Sequence, residues 1–229
     1  VNMKQTSCIF QSLAQSTLIS DNVCYNGPRA GINFNDGFMG GSIVEGNVVF
    51  NMVRETGDHG TFNSWDRREF LLPCKDGSGD CFTPQTIRLR RNMFIGPAGW
   101  NLDHDDGSSQ YEDFLNVVLF GTIKFRDGVM RNMTSNLLVQ SSPAFQVTGF
   151  DTNFWVNNTI VSNLTVKVCA PSHTGALTGT RYLVLKSDQA IAEETSSAPQ
   201  CWPTNSTPPC ICDEGVVRGV TEKELQQIV

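Results

Sequence analysis

The chain contains no run of about 18 apolar residues, so it encodes no helix of membrane-spanning length. It has no surplus of positive charge: 17 Lys and Arg stand against 23 Asp and Glu, a net charge of −6. That balance removes the electrostatic footprint of a nucleic-acid binder and suits neutral glycans, cations or basic partners. No segment has the layout of a secretory leader, and the chain opens at Val1 rather than at Met. Repeat-like sequence begins almost at once with no capping segment before it, so the chain reads as a processed or partial piece of a longer polypeptide. Metal-site spacings are missing as well, because the Cys74/Cys81 pair has no second Cys or His pair beside it and no EF-hand loop occurs.

What the sequence does hold is 229 residues, 39% of them hydrophobic, enough for one domain with a sizeable core. Eight cysteines fit an oxidising compartment. The sequons at Asn132, Asn157, Asn163 and Asn205 point the same way, to a secreted or surface-displayed glycoprotein.

The strongest pattern is an asparagine that returns about every 22 residues, each time between apolar residues and once at double the interval. The members are Asn22, Asn47, Asn92, Asn116, Asn136 and Asn158. A period of that length with Asn in register predicts an all-β fold, a single-stranded right-handed parallel β-helix whose stacked coils align the amides about 4.8 Å apart. A second recurring strand supports the same register. Ile32, Phe62, Leu102, Ile123 and Phe145 align as one inward column, and Phe34, Phe125 and Val147 fit the next, which Ser64 and His104 interrupt.

Residues 1–168 therefore read as the coils, interrupted at 67–85 by an insertion in which Cys74 and Cys81 bracket a Lys-Asp-Gly-Ser-Gly-Asp tip and are expected to pair. Residues 169–229, with four cysteines, read as a Cys-rich extension that caps the solenoid or links to a further domain. Arg181 to Lys186 has the look of one more strand, and Thr221 to Ile228 that of a short helix with a capping-box start.

Alternation along the second strand set sends the intervening residues outward. Successive coils then present Asn33/Asn35, Asn63/Trp65, Asp103/Asp105, Lys124/Arg126 and Gln146/Thr148, with the carboxylates Asp36, Asp66, Asp106 and Asp127 just beyond. Carboxylates on adjacent coils approach the roughly 5 to 5.5 Å of a retaining glycosidase pair, and Asp66 with Asp106 is the best match. Trp65 beside them can stack on a sugar, and Arg67, Lys124 and Arg126 suit a uronate or an oxyanion. Asp58 next to His59 between glycines offers a general base. His104 lies at an inward position and reads as a satisfied interior histidine. Asp103, Asp105 and Asp106 carry hard oxygens that suit calcium. Asp-Gly pairs at 36, 106 and 127 equally fit ordinary turns, and Asp103/Asp105 over Lys124/Arg126 equally fits a cross-strand ion-pair ladder.

The segments Asn26-Gly-Pro-Arg-Ala-Gly-Ile-Asn-Phe-Asn-Asp-Gly37, Arg54-Glu-Thr-Gly-Asp-His-Gly-Thr-Phe-Asn-Ser-Trp-Asp-Arg67, Asp103-His-Asp-Asp-Gly-Ser-Ser109 and Lys124-Phe-Arg-Asp-Gly128 resemble secreted right-handed parallel β-helix proteins of the pectate-lyase-like superfamily. The resemblance covers roughly residues 15–165. Members of that superfamily are mostly polysaccharide lyases, hydrolases and epimerases, which implies a glycan as partner.

Two function classes follow. In the first, the stripe binds or cleaves carbohydrate. Asp66 and Asp106 serve as nucleophile and acid/base in a hydrolase, or Lys124 or Arg126 serves as base in a lyase or epimerase. Asn33, Asn35, Asp58, Asn63, Trp65, Arg67, Asp103, Asp105 and Arg126 then contact the substrate. In the second, the chain is a non-catalytic segment of an extracellular filament, matrix or cell-surface assembly that meets further copies or other chains.

Overall fold

A computed structural model describes residues 6–12, 14–35, 40–66, 71–73, 76–78, 80–82, 85–96, 99–146, 153–163, 168–171, 177–185, 210–213 and 215–220. Among these there is no helix, and three parallel sheets of 6, 7 and 8 strands run the length of a β-solenoid of about 6 turns. Between Leu18 and Gln146 each coil visits the sheets in the same order. The second coil, for example, passes through Ile43–Glu45 in the seven-stranded sheet, Val48–Phe50 in the eight-stranded sheet and Phe62–Trp65 in the six-stranded sheet. These are called the second, third and first sheets below.

The asparagine column forms as the period requires. Asn22, Asn47, Asn92, Asn116 and Asn136 each donate a side-chain hydrogen bond to the next member of the column, the last to Asn158, at 3.0 to 3.1 Å. The same oxygens accept the backbone N–H of the preceding asparagine at 2.9 to 3.0 Å. The second amide hydrogen of Asn92, Asn116, Asn136 and Asn158 goes to a carbonyl of the preceding coil, as from Asn116 to Leu89 at 2.8 Å. Donors and acceptors therefore saturate along the stack, which is the condition for burying them.

The bend between second and third sheets is a single left-handed residue placed just before each asparagine. Asp21, Arg91, Leu115, Ser135 and Asn157 have φ between 55° and 58°, and Gly46 has φ 66°. One left-handed residue turns the chain sharply, and the ladder amide holds the strained conformation in place.

Inside the coils the apolar columns pack as one core that includes Ile32, Phe34, Val49, Phe62, Phe94, Leu102, Val118, Ile123, Phe145 and Trp155. Ile32 pairs with Phe62, and Phe62 with Leu102, as the sequence predicts. A bulge between Trp100 and Asp103 then shifts the register by one residue. It is occupied by Asn101, fully buried, whose amide donates to the carbonyls of Phe94, Leu119 and Phe120 at 2.9 to 3.1 Å.

One expected alignment is corrected. Phe145 pairs with Phe125, and it is Pro143 that opposes Ile123. Phe145 thus joins the column of Phe34, Ser64, His104 and Phe125, in the place expected for Val147, and Gln146 sits beside Arg126. Proline removes a ladder donor and argues against a central strand, but Ser142–Gln146 is the last strand of the first sheet, an edge that tolerates it. Ala144 consequently takes the place beside Lys124.

Parallel pairing also runs past Val168. Arg181–Leu185 joins Thr159–Ser162 in the third sheet, and Val216–Val220 joins Arg181–Leu185 in turn. A separate antiparallel pair links Cys169–Pro171 to Cys210–Cys212, and another lies in the insertion, Leu71–Pro73 with Asp80–Phe82. Cys8 is disulfide-bonded to Cys24, joining the first strand of the first sheet to the first strand of the third. Cys74, its expected pairing with Cys81, and the helix expected at 221–228 lie outside the described residues.

Candidate functional site: a buried lysine between two aspartates

The polar stripe lies on the outer face of the first sheet. Asn33, Asn63, Asp103 and Lys124 face one another in register on four successive strands. The sequence places them on an exposed face, yet they are 0%, 3%, 0% and 1% exposed. They form a covered floor rather than an open surface. Asn63 donates to Asn33 at 2.9 Å, so this half of the floor holds itself together through amides.

The other half holds through charge. Lys124 Nζ lies 2.9 Å from Asp103 Oδ1 and 2.8 Å from Asp105 Oδ1, with Asp58 Oδ1 at 3.6 Å. The Trp100 ring lies over the ammonium, its centroid 5.2 Å away, and Trp100 Nε1 donates to Asp58 at 3.2 Å. Burial, the largest influence, pushes the Asp103 carboxyl up to about 7, although Lys124 pulls the other way. The Lys124 ammonium is held above its usual value, because Asp103 and Asp105 outweigh the burial that would lower it. A lysine held protonated is a fixed positive charge or a proton donor. It is a poor base at neutral pH, which removes the support for Lys124 as the base of a lyase.

At the exposed end of the stripe Arg126 Nε lies 2.5 Å from Asp106 and 3.9 Å from Asp105. The region where the sequence suggests calcium is therefore crossed by two cationic side chains, and no group of three or more His, Cys, Asp or Glu among the described residues is arranged to hold a metal ion.

Asp66 and Asp106 are not the open pair of acids that the sequence suggests. The two are neighbours through the backbone, the Asp66 N–H donating to the Asp106 carbonyl at 3.2 Å. Asp66, however, is 2% exposed. It shares the parity of Phe62 and Ser64, which alternation sends inward, whereas Asp106 lies in the turn beyond the strand and meets Arg126. One acid is buried and the other is ion-paired. Asp36, Arg67 and Thr148 fall outside the described residues.

His59 is engaged as well. Arg29 Nε donates to its Nε2 at 2.8 Å, and its Nδ1 lies 3.1 Å from Thr56 Oγ1. An arginine has no acceptor, so Nε2 must carry the lone pair and Nδ1 the hydrogen. Burial first, and the Arg29 charge second, lower the His59 pKa to about 4. The imidazole is neutral at pH 7, with its basic nitrogen already bound.

Sequence reasoning missed Arg29, Trp100 and Asp113. His104 does sit inside the coil, and Asp113 accounts for it: Nε2 lies 2.6 Å from Asp113 Oδ2 and Nδ1 lies 3.1 Å from Ser64 Oγ. Phe62, Tyr111 and Phe125 surround the ring at 4.6 to 5.8 Å between centroids, and no part of His104 is exposed. This Ser-His-Asp chain holds the core together and meets no substrate. Asp113 aligns with the inward residues Leu89 and Met133, so a carboxylate in an apolar column was the available signal.

Of the four sequon asparagines, Asn157 and Asn163 are exposed, Asn132 is half-buried, and Asn205 falls outside the described residues. A groove of about 720 Å³ lies away from the stripe, at the ladder corner between Leu115, Leu137, Asn157, Arg181 and Leu183. No family model matches the chain, and no similar curated protein or solved structure was found.

Proposed function

We propose that this chain is an extracellular glycan-binding β-helix, related to the pectate-lyase-like superfamily, that holds carbohydrate on the outer face of its first sheet without cleaving it. One observation carries this reading. The acids and bases that a hydrolase or lyase would use are already held, Asp103 and Asp105 by Lys124, Asp106 by Arg126 and His59 by Arg29. The rim, by contrast, stays reachable. Asp58 is 74% and Arg126 46% exposed, and Trp65 and Trp100 are half-exposed beside them. Indole faces next to carboxylates and a guanidinium suit the apolar faces and hydroxyls of a sugar, with Arg126 matched to a uronate.

The test is binding of the full chain to a panel of neutral and uronate polysaccharides, run beside assays for released reducing ends and unsaturated uronates. Binding that falls at least tenfold in Trp100→Ala and Asp58→Ala, with no turnover, is the expected result. Turnover that Asp103→Asn abolishes sinks the non-cleaving reading, and no binding across the panel sinks the glycan reading itself.

The structural alternative is favoured by the outer face of the third sheet. There Val23, Tyr25 and Met93 are exposed and Val48, Phe50, Ile95, Val117 and Leu119 are half-buried, an apolar strip across four coils. Such a strip suits lateral contact in an assembly. Sedimentation equilibrium separates the readings, since concentration-dependent association lost in Tyr25→Lys supports assembly.

A further inference from the structure

Lys124, Asp103 and Asp105 form a closed reacting group. Asp103 and Lys124 face each other on adjacent parallel strands, and both are out of contact with water. The amine nitrogen touches both carboxylates, at 2.9 and 2.8 Å, and Trp100 covers it. Asp105 lies two residues beyond Asp103, just past the end of the strand Trp100–His104, and keeps a 21% exposed side chain.

We propose that Lys124 and Asp103 join in a covalent amide, Nζ to Cγ, that staples two adjacent coils, with Asp105 as the proton carrier. The step balances within the three side chains. Lys124 passes one proton to Asp105, and the neutral amine attacks Cγ of the protonated Asp103 carboxyl. The N–C bond forms, a C–O bond breaks, and the hydroxyl leaves with a second amine proton as one water. Asp105 ends protonated and returns its proton to solvent.

Three physical terms favour closure. The strands hold nucleophile and electrophile in contact, which removes the entropic cost of meeting. Burial raises the Asp103 carboxyl to about 7, so a protonated fraction, with hydroxyl as its leaving group, is present near neutral pH. Ammonium and carboxylate buried together carry a desolvation penalty, which a neutral amide does not. Asp58, Arg29 and Arg126 complete the charged surroundings beside the neutral His59, and Asp58, at 3.6 Å and largely exposed, is the poorer acceptor for attack. The inference stands whether or not the rim binds glycan, because the staple lies in the floor.

Mass spectrometry of the full chain, deglycosylated and reduced, tests it. The expected mass is one water below that of the sequence, and proteolysis should release a branched peptide carrying Lys124 joined to Asp103. Lys124→Arg and Asp103→Ala should restore the sequence mass, and Asp105→Ala should leave the amide unformed in a chain that still folds by circular dichroism. Asp103→Asn should close with loss of ammonia instead of water. A wild-type mass equal to the sequence, with Lys124 recovered as a free amine after denaturation, overturns the proposal. Loss of water without the branched peptide, as from a succinimide at Asp103, overturns it too.

Discussion

At the scale of single residues the site is defined by two titrations that oppose each other. Asp103 has its carboxyl raised to about 7, against roughly 3.9 in an unfolded chain. Between those values the folded protein keeps a proton that the unfolded chain has released, so this residue makes stability fall as pH rises from about 4 to 7. His59 is lowered to about 4, against roughly 6.5 unfolded. The folded protein refuses a proton that the unfolded chain accepts, so this residue makes stability rise between about 4 and 6.5. While Asp103 remains a free acid, urea midpoints followed across that range should therefore be nearly flat in the parent, fall with pH in His59→Gln and rise in Asp103→Asn. Profiles that are identical in all three proteins refute the assignment. Amide closure removes the Asp103 limb, so a parent that already behaves like Asp103→Asn reports the staple independently of its mass.

The element that organises the fold is the asparagine ladder, and its energetics depend on saturation. Asn116 accepts from the Asn92 backbone and amide and donates to Leu89 and Asn136, at 2.8 to 3.1 Å. Asn116→Ala removes four hydrogen bonds to buried groups and should cost about 3–5 kcal/mol. Asn22→Ala, at the end of the ladder, should cost only about 1 kcal/mol. Chemical denaturation measures both, and equal losses would show that stacking rather than saturation sets the value. This ladder was legible in the sequence because one residue type recurs at one interval. The inward columns were legible up to Ile123 for the same reason. Phe145 was misplaced because its coil holds to a 20-residue step, with its extra residues after the strand, and only the sheet edge explains Pro143. The site was less legible. Parity identified the floor of Asn33, Asn63, Asp103 and Lys124, but parity says nothing about cover, and the same rule applied one step further would have turned Asp66 inward. Arg29 and Trp100 reach the stripe from outside the strand positions that define it, where no periodicity operates.

For the whole molecule, the consequence of stacking is that each coil is stabilised by its neighbours alone. The Asn92 coil, for example, bonds to the Asn47 coil on one side and to the Asn116 coil on the other. Stability is then a sum of coil and interface terms, and cooperativity lasts only while no single interface is much weaker than the rest. Phe94 sits in the middle of that sum. It is fully buried, opposes Val49 and Val118 in the third sheet, and meets the Phe62 ring at 6.4 Å. Phe94→Ala removes a ring from a core held between fixed coils, where collapse around the cavity is restricted, and should cost about 3–5 kcal/mol. Because the loss falls at the centre, it should do more than lower the midpoint. Calorimetry should resolve two transitions, the coils before Phe94 separating from those after it, and hydrogen exchange should show protection dropping first on the flanking strands Val48–Phe50 and Val117–Leu119. The same cost imposed at the first coil, by reducing Cys8–Cys24, should instead fray that end and leave one main transition. A single sharp transition in Phe94→Ala, with calorimetric and van't Hoff enthalpies equal, would mean that coupling extends beyond nearest neighbours. A covalent link between the adjacent strands that carry Asp103 and Lys124 is a separate route to one transition, because it strengthens that single interface, and repeating the scan on Phe94→Ala combined with Lys124→Arg would then restore the split.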